Sequence, residues 1–164
     1  MILVTVGTAE FQFNRLFKII DELCDDGILN ANEIIAQMGY TTYKPKNYKS
    51  FQFLENDQFK KYIDQSDFII THSGVGTIIN SLKRGKKIIV FPRLSEYGEH
   101  VDNHQEEIAN IFTNSKYVLF ANDKIQLKKA IEEINKFYPK KYVSHNNKMN
   151  DIIIDYIEGV FKDE

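Results

Sequence analysis

Three short apolar runs, each stopped by small residues or a proline, constrain this chain more than any other feature. Residues 2–6 end at Gly7-Thr8, residues 67–71 at His72-Ser73-Gly74, and residues 87–91 at Pro92. Continuous apolar runs of this length read as strands covered on both faces. Between them, Phe13, Leu16, Phe17, Ile20 and Leu23 fall three and four apart, which marks one face of a helix closing near Gly27. Val75, Ile78, Ile79 and Leu82 repeat the spacing, with Gly85 placed where a helix end wants a left-handed residue. Weaker strands are expected at 33–38 and 50–53, separated by Lys44-Pro45-Lys46, and Phe59, Tyr62 and Ile63 suggest a short helix. A helix at 104–112, a strand at 117–120 and a helix at 123–137 complete the alternation. Leu127, Ala130, Ile131, Ile134 and Tyr138 form the expected buried stripe of the last. Strands alternating with helices at this pitch predict an α/β fold, a Rossmann-like doubly wound parallel sheet with helices on both faces.

A length of 164 residues predicts a single domain over 1–164. Its final part, 146–162, reads as a C-terminal helix with a wide apolar face (Met149, Ile152, Ile153, Tyr156, Ile157, Val160, Phe161), suited to docking. The formal net charge of -2 argues against nucleic acid as a partner. Lys83, Arg84, Lys86 and Lys87, the densest basic run, flank Gly85, where cations complement a helix end. Cys24 is the single thiol, which excludes an internal disulfide and a cysteine-rich metal site. It reads as a small hydrophobe on a helix. No stretch reaches the ~20 apolar residues of a membrane span, and Met1 leads straight into the first strand with no leader pattern. The expected location is therefore cytoplasmic.

Ligands of open parallel sheets collect at the carboxyl ends of the strands. Here those ends carry Gly7-Thr8, the run His72, Ser73, Gly74, Val75, Gly76, Thr77, and the polar segment 93–103. Glycines admit backbone amides close to a phosphate, and a helix starting at Ser73-Gly74 aims its unpaired N–H groups and positive dipole end at the same anion. A diphosphate at this turn is the expectation. The glycines alone are equally compatible with a tight strand-to-helix turn. The first loop, Val-Gly-Thr-Ala-Glu-Phe-Gln, lacks the G-x-G-x-x-G fingerprint of dinucleotide dehydrogenases, and no Walker A lysine is present. His100 and His104 lack the metal-binding H-E-x-x-H pattern, so no metal site is expected.

The run T-H-S-G-V-G-T-I-I-N-S-L-K-R-G-K-K-I-I-V-F-P, followed by D-N-H-Q-E-E-I-A, resembles the donor-binding signature of GT-B glycosyltransferases related to the N-acetylglucosaminyltransferase of peptidoglycan synthesis. The opening V-T-V-G-T and the length resemble the small soluble subunit of two-subunit enzymes. These include the eukaryotic dolichol-linked N-acetylglucosaminyltransferase and bacterial capsule and exopolysaccharide glycosyltransferases. The similarity covers residues 1 to about 135. It implies a single half of a GT-B fold and a UDP-sugar as substrate, with no cofactor. Ser73 to Thr77 then lie at the diphosphate, Gly7 and Thr8 on the facing wall, Phe53 and Leu54 at the uracil, and His104 and Gln105 at the sugar hydroxyls and phosphate. Asn103, otherwise read as a helix cap, joins that set. Asn80 departs from the glutamate that relatives commonly use on ribose, and an amide offers a hydroxyl a bond without the charge.

The resemblance further implies a partner. Full enzymes place the acceptor on a second Rossmann-like half, which in two-subunit relatives is a membrane-anchored chain that recruits the small subunit. The expected reaction is inverting, metal-independent hexosyl transfer from UDP to a lipid-linked acceptor in capsule, exopolysaccharide or glycolipid synthesis. The acceptor base is expected on the partner, with Glu96, Glu99 and His100 as candidates from this chain's long loop. Two rival readings are a non-enzymatic sugar-nucleotide-binding regulatory subunit and a homodimeric UDP-sugar epimerase, the latter requiring carboxylates that the sequence does not supply; a homo-oligomer is compatible with the sequence.

Overall fold

The computed structural model describes residues 1–143. The expected docking helix at 146–162 lies outside the described residues, as does the question of what its apolar face covers. Among the described residues, six strands form one parallel sheet: β1 (Ile2–Thr5), β2 (Ile34–Gln37), β3 (Lys49–Phe51), β4 (Phe68–Thr71), β5 (Lys87–Val90) and β6 (Leu119–Phe120). Their order is β3-β2-β1-β4-β5-β6, the doubly wound arrangement expected from the alternation. Among the described residues, four helices connect strands, α1 (Asn14–Asp25), α2 (Asn56–Gln65), α3 (Val75–Lys83) and α4 (His104–Asn114), and α5 (Lys124–Glu133) follows β6.

The two faces are sorted by the period of the strand. Ile2, Val4, Val6, Ile70, Ile89 and Phe91 point to one side, where Leu16, Phe17 and Ile20 of α1 and Leu127 and Ala130 of α5 cover them. Leu3 and Ile69 point to the other side and meet Ile63 of α2, while Ile88 and Val90 meet Ile78 of α3 and Phe112 of α4. All of these side chains are buried.

Helices α1 and α3 end alike. Gly27 and Gly85 take φ of +71° and +68°, and the residues after them close the turn by donating back to Leu23 and Ser81. That pattern satisfies end carbonyls and needs a left-handed residue. The basic run beside Gly85 completes a different helix end. Arg84 pairs with Asp64, and Lys86 Nζ donates to the Asp64 and Ser66 carbonyls at the finish of α2. Cys24 packs against the core, and its thiol is pushed up to about 11 by burial and then by Asp21 and Asp25, so it is a hydrophobe in practice.

The boundaries differ from expectation in places. The predicted strand at 50–53 ends at Phe51, that at 117–120 is reduced to Leu119–Phe120, and the helix expected at 123–137 stops at Glu133, followed by a 3-10 turn, Ile134–Lys136. Tyr138, expected in the buried stripe, lies past the turn with 84% exposure, its ring under Lys87 Nζ. A three-four pattern cannot register that the helix carrying it has already ended. Among the described residues, no helix is long and apolar enough to cross a membrane.

Candidate functional site

The crevice lies at the carboxyl end of the sheet, where β1 and β4 turn into their loops around His72. Gly7 has φ of +71°, and a Cβ there would sit 2.8 Å from His72 Cε1. Gly74 has an ordinary φ of -69°, but its Cβ would meet His72 Nε2 at 2.3 Å. The two glycines therefore leave room for an imidazole wedged between the first loop and the start of α3. The ring is buried, with Nδ1 3.3 Å from Thr71 Oγ1. Its pKa is pushed down to about 3, chiefly by burial and next by the charge of Arg93, against a hydrogen bond with the Thr5 main chain. His72 is thus neutral at physiological pH, with a ring able to act as donor or acceptor.

Ser73 is 1% exposed and its Oγ has no hydrogen-bond partner among the described residues. An unpaired buried hydroxyl costs free energy unless something occupies it in the working state. Gly74 caps α3 without a side-chain bond, so the first amides of the helix, carried by Val75, Gly76 and Thr77, also lack the partner a serine or aspartate cap would give. Hydroxyl, amides and dipole end converge on the same turn. Thr8 is exposed on the facing loop, and Asn80 sits one turn along α3, its Oδ1 taking a 3.3 Å bond from Arg84 Nε.

The next wall is the segment after β3. Leu54 donates its N–H to Gln37 Oε1 at 3.0 Å, so that amide is already used, while the Phe53 ring stands 48% exposed beside Tyr40 at a centroid distance of 5.4 Å. A cavity of about 620 Å³ opens beyond them, lined by Tyr40, Tyr43, Phe51 and Gln52 among others. It does not include the His72 to Thr77 turn, and the chemistry described above lies outside it.

The wall after β5 departs most from expectation. Residues 93–103 read as a polar loop, yet Arg93, Leu94 and Glu99 are buried and Ser95–Tyr97 form a 3-10 turn. Arg93 Nη1 donates to the carbonyls of Phe11 (2.7 Å) and Gln12 (3.0 Å), and Nη2 to that of Val6 (3.0 Å). Burial lowers its pKa to about 10 against the pull of Glu99, which leaves it charged at neutral pH. Glu99 receives a two-pronged pair from Arg15 (2.9 and 2.8 Å) and the Leu94 N–H (3.0 Å). This carboxylate, expected as a candidate base, is saturated and 0% exposed, so it braces the loop. Glu96 is exposed. The His100 ring packs tilted against Phe11 at a centroid distance of 5.0 Å, and its Nδ1 lies 3.0 Å from Asp102 Oδ1.

Asn103 is the residue before α4, as expected, but its side chain does not cap the helix. Its Oδ1 accepts from Ser95 N–H and Oγ, and Asp102 Oδ1 takes the His104 N–H instead. Gln105 turns inward, its Oε1 accepting the Arg93 N–H at 3.0 Å. His104 is paired to Asp102 and Glu107. The structure thus gathers Gly7, His72, Ser73 and Gly74 around one ring and ties Gln105 to the neighbouring loop through Arg93. Sequence reading missed Arg15, Arg93, Gln37 and Thr5. One signal was visible: Thr5, Gln37 and Thr71 are polar residues closing otherwise apolar strands. Among the described residues, no three His, Cys, Asp or Glu side chains are grouped to hold a metal.

A parallel sheet in the 3-2-1-4-5-6 order, with helices on both faces, defines a doubly wound Rossmann-like domain. The chain matches the glycosyltransferase family 28 C-terminal domain over residues 1–155 and belongs to that family. It is 30% identical over 113 residues to the UDP-N-acetylglucosamine transferase subunit ALG13 of Candida albicans, covering 69% of this chain and 33% of that protein. It is also 30% identical over 113 residues to the mouse protein of the same name, covering 65% of this chain and 9% of that one. The chain therefore spans a third or less of these curated relatives. A solution NMR structure of ALG13 shares the fold, with a TM-score of 0.62 and 23% identity over 93% of this chain and 94% of that one.

Proposed function

We propose that this chain is the donor-binding part of a heteromeric glycosyltransferase that takes a UDP-sugar, and that the sugar is N-acetylglucosamine. The observation that carries this reading is the turn between β4 and α3, which brings together a buried Ser73 hydroxyl without a partner among the described residues, the uncapped first amides of α3 and a neutral His72. Such a point suits a diphosphate. The family match supports sugar transfer, and the names of the relatives support the donor.

In this reading Ser73 to Thr77 hold the diphosphate, Gly7 and Thr8 line the facing wall, and the Phe53 to Leu54 segment faces the base. Asn80 lies toward the ribose, and Asn103, His104 and Gln105 lie toward the sugar. The leaving UDP is stabilised as charge develops on its terminal oxygen, by the α3 amides and dipole rather than by a metal or cofactor. Configuration inverts because the acceptor hydroxyl attacks from the open side. A membrane-anchored Rossmann-like partner supplies the lipid-linked acceptor and recruits this chain to the membrane from the cytoplasm, and the pathway served is set by that partner.

Of the loop candidates for the acceptor base, the geometry favours His100, whose Nδ1 is oriented by Asp102 at 3.0 Å, over the exposed Glu96 and the saturated Glu99. With the partner present, His100→Ala lowers kcat by roughly 10²–10⁴-fold if this chain carries the base. A change of only a few-fold assigns the base to the partner. The donor site itself is tested by calorimetric titration with UDP. Wild type binds and Ser73→Ala binds about fivefold more weakly, the loss of one hydrogen bond. A folded protein that takes up no UDP overturns the reading.

A further inference from the structure

The three neighbouring strands β2, β1 and β4, otherwise apolar, each close on a polar residue. Register sets Gln37 of β2 beside Thr5 of β1, and Thr5 beside Thr71 of β4. Alternation places all three on the face shared by Leu3, Ile35 and Ile69, and all three are buried. Buried polar groups are costly unless bonded. Here their bonds lead from one wall of the crevice to another. Gln37 Oε1 accepts the Leu54 N–H at 3.0 Å, and Gln37 Nε2 donates to Thr5 Oγ1 at 3.4 Å. The Thr5 main chain hydrogen-bonds the His72 ring, which lies 3.3 Å from Thr71 Oγ1. One row of contacts thus joins the segment facing the base to the imidazole beneath the diphosphate turn.

We propose that Gln37 is a positioning residue that fixes the spacing between the base and diphosphate subsites, by tying the Leu54 main chain to the end of β1 against which His72 is seated. The inference rests on the reading of the crevice as a uridine diphosphate site. A carboxamide suits the task because one planar group accepts from an N–H and donates to a hydroxyl. The Gly39 turn that follows is equally constrained. A Cβ at Gly39 would stand 2.7 Å from the Gly7 carbonyl oxygen, and Gly39 N–H donates to the Gln52 carbonyl, so the loops after β1, β2 and β3 are stacked without slack. Without Gln37 the Leu54 amide is left unpaired and the segment facing the base loses its tether. The α3 amides and Ser73, which Gln37 does not touch, keep their places.

The test is calorimetric titration of the full chain with UDP and, separately, with inorganic pyrophosphate. Gln37→Met keeps the length of the side chain and removes both bonds. It weakens UDP about tenfold, equivalent to about 1.4 kcal/mol, and leaves pyrophosphate affinity within about twofold. Thr5→Val, which removes only the longer bond, shifts UDP in the same direction by a smaller factor. Unchanged UDP affinity in Gln37→Met overturns the inference, and so does an equal loss for pyrophosphate, which would mark a general structural role. Should Gln37→Met fail to fold, Thr5→Val decides by the same difference between the two ligands. A wild-type chain that binds no UDP sinks the site reading together with this inference, whereas a wild type that binds while both variants match it sinks the inference alone.

Discussion

Around His72 the crevice is shaped by side chains that are missing; around Arg93 it is shaped by side chains that are large and charged. Gly7 and Gly74 approach the imidazole so closely that any Cβ would collide with it, and the ring is locked by an absence of neighbours' bulk. On the β5 side, Arg93 gathers three carbonyls from the first loop while Arg15 and Glu99 hold the long loop to α1. Arg15 also lies 4.6 Å over the Phe91 ring and 4.7 Å over that of Tyr97. Both arrangements make a wall that cannot drift, which preorganises polar groups for a ligand. They fail differently. A steric wall breaks when something is added, and a braced wall breaks when something is taken away.

The largest expected effect follows from taking away. Arg93→Met leaves the Val6, Phe11 and Gln12 carbonyls without their donor, and unfolding in urea should show a loss of about 3–5 kcal/mol, since each buried acceptor left unpaired costs roughly 1–3 kcal/mol. A loss below about 1 kcal/mol would mean the wall is not braced by this residue.

Next comes the acid response of the other wall. The folded pKa of His72 is depressed to about 3 from an ordinary 6.5, so the unfolded chain binds the extra proton between those values. Its contribution is fully present above about pH 6.5 and is lost progressively as pH falls toward about 3. Thermal midpoints from pH 7 to pH 4 should therefore fall less steeply for His72→Gln than for wild type. Parallel curves would refute the buried neutral imidazole.

Adding bulk sharpens the contrast further. Gly74→Ala, whose backbone angles suit any residue, must push the ring aside, with a loss of about 1–3 kcal/mol in the same urea assay. Gly76→Ala is the matched control and the smallest effect. Nothing lies within 4 Å of its Cβ, so alanine in the first turn of α3 should stabilise by about 0.4–1 kcal/mol. Equal losses at both glycines would show that backbone flexibility, not room for His72, is what the turn requires.

The same contrast explains what could be read from the sequence. The strand runs, the glycine turns at Gly7 and Gly74 and the helix closures at Gly27 and Gly85 were accessible because each depends on residues near one another in the chain. The braced wall was not. Glu99 and Arg93 sit in a polar aperiodic stretch, the usual mark of a solvated loop. Their burial is decided by Arg15 and the first loop, some eighty residues earlier in the chain. Asn103 shows the subtler case: position before α4 was legible, but which of Asp102 and Asn103 reaches the helix depends on where Ser95 lies. Local pattern gave the place of each residue and distant packing gave its job.

The position of β1 also dictates the order in which the molecule can be assembled. It is the first strand in the chain yet lies at the middle of the sheet, between β2 and β4, and its pairing with β4 joins Ile2 to Phe68 and Thr5 to Thr71. Until β4 arrives, one edge of an aliphatic strand has no partner, and closing so long a loop must precede the gain from it. A nascent chain stalled before β4 would thus present an open, sticky edge, the kind of surface on which chaperones act.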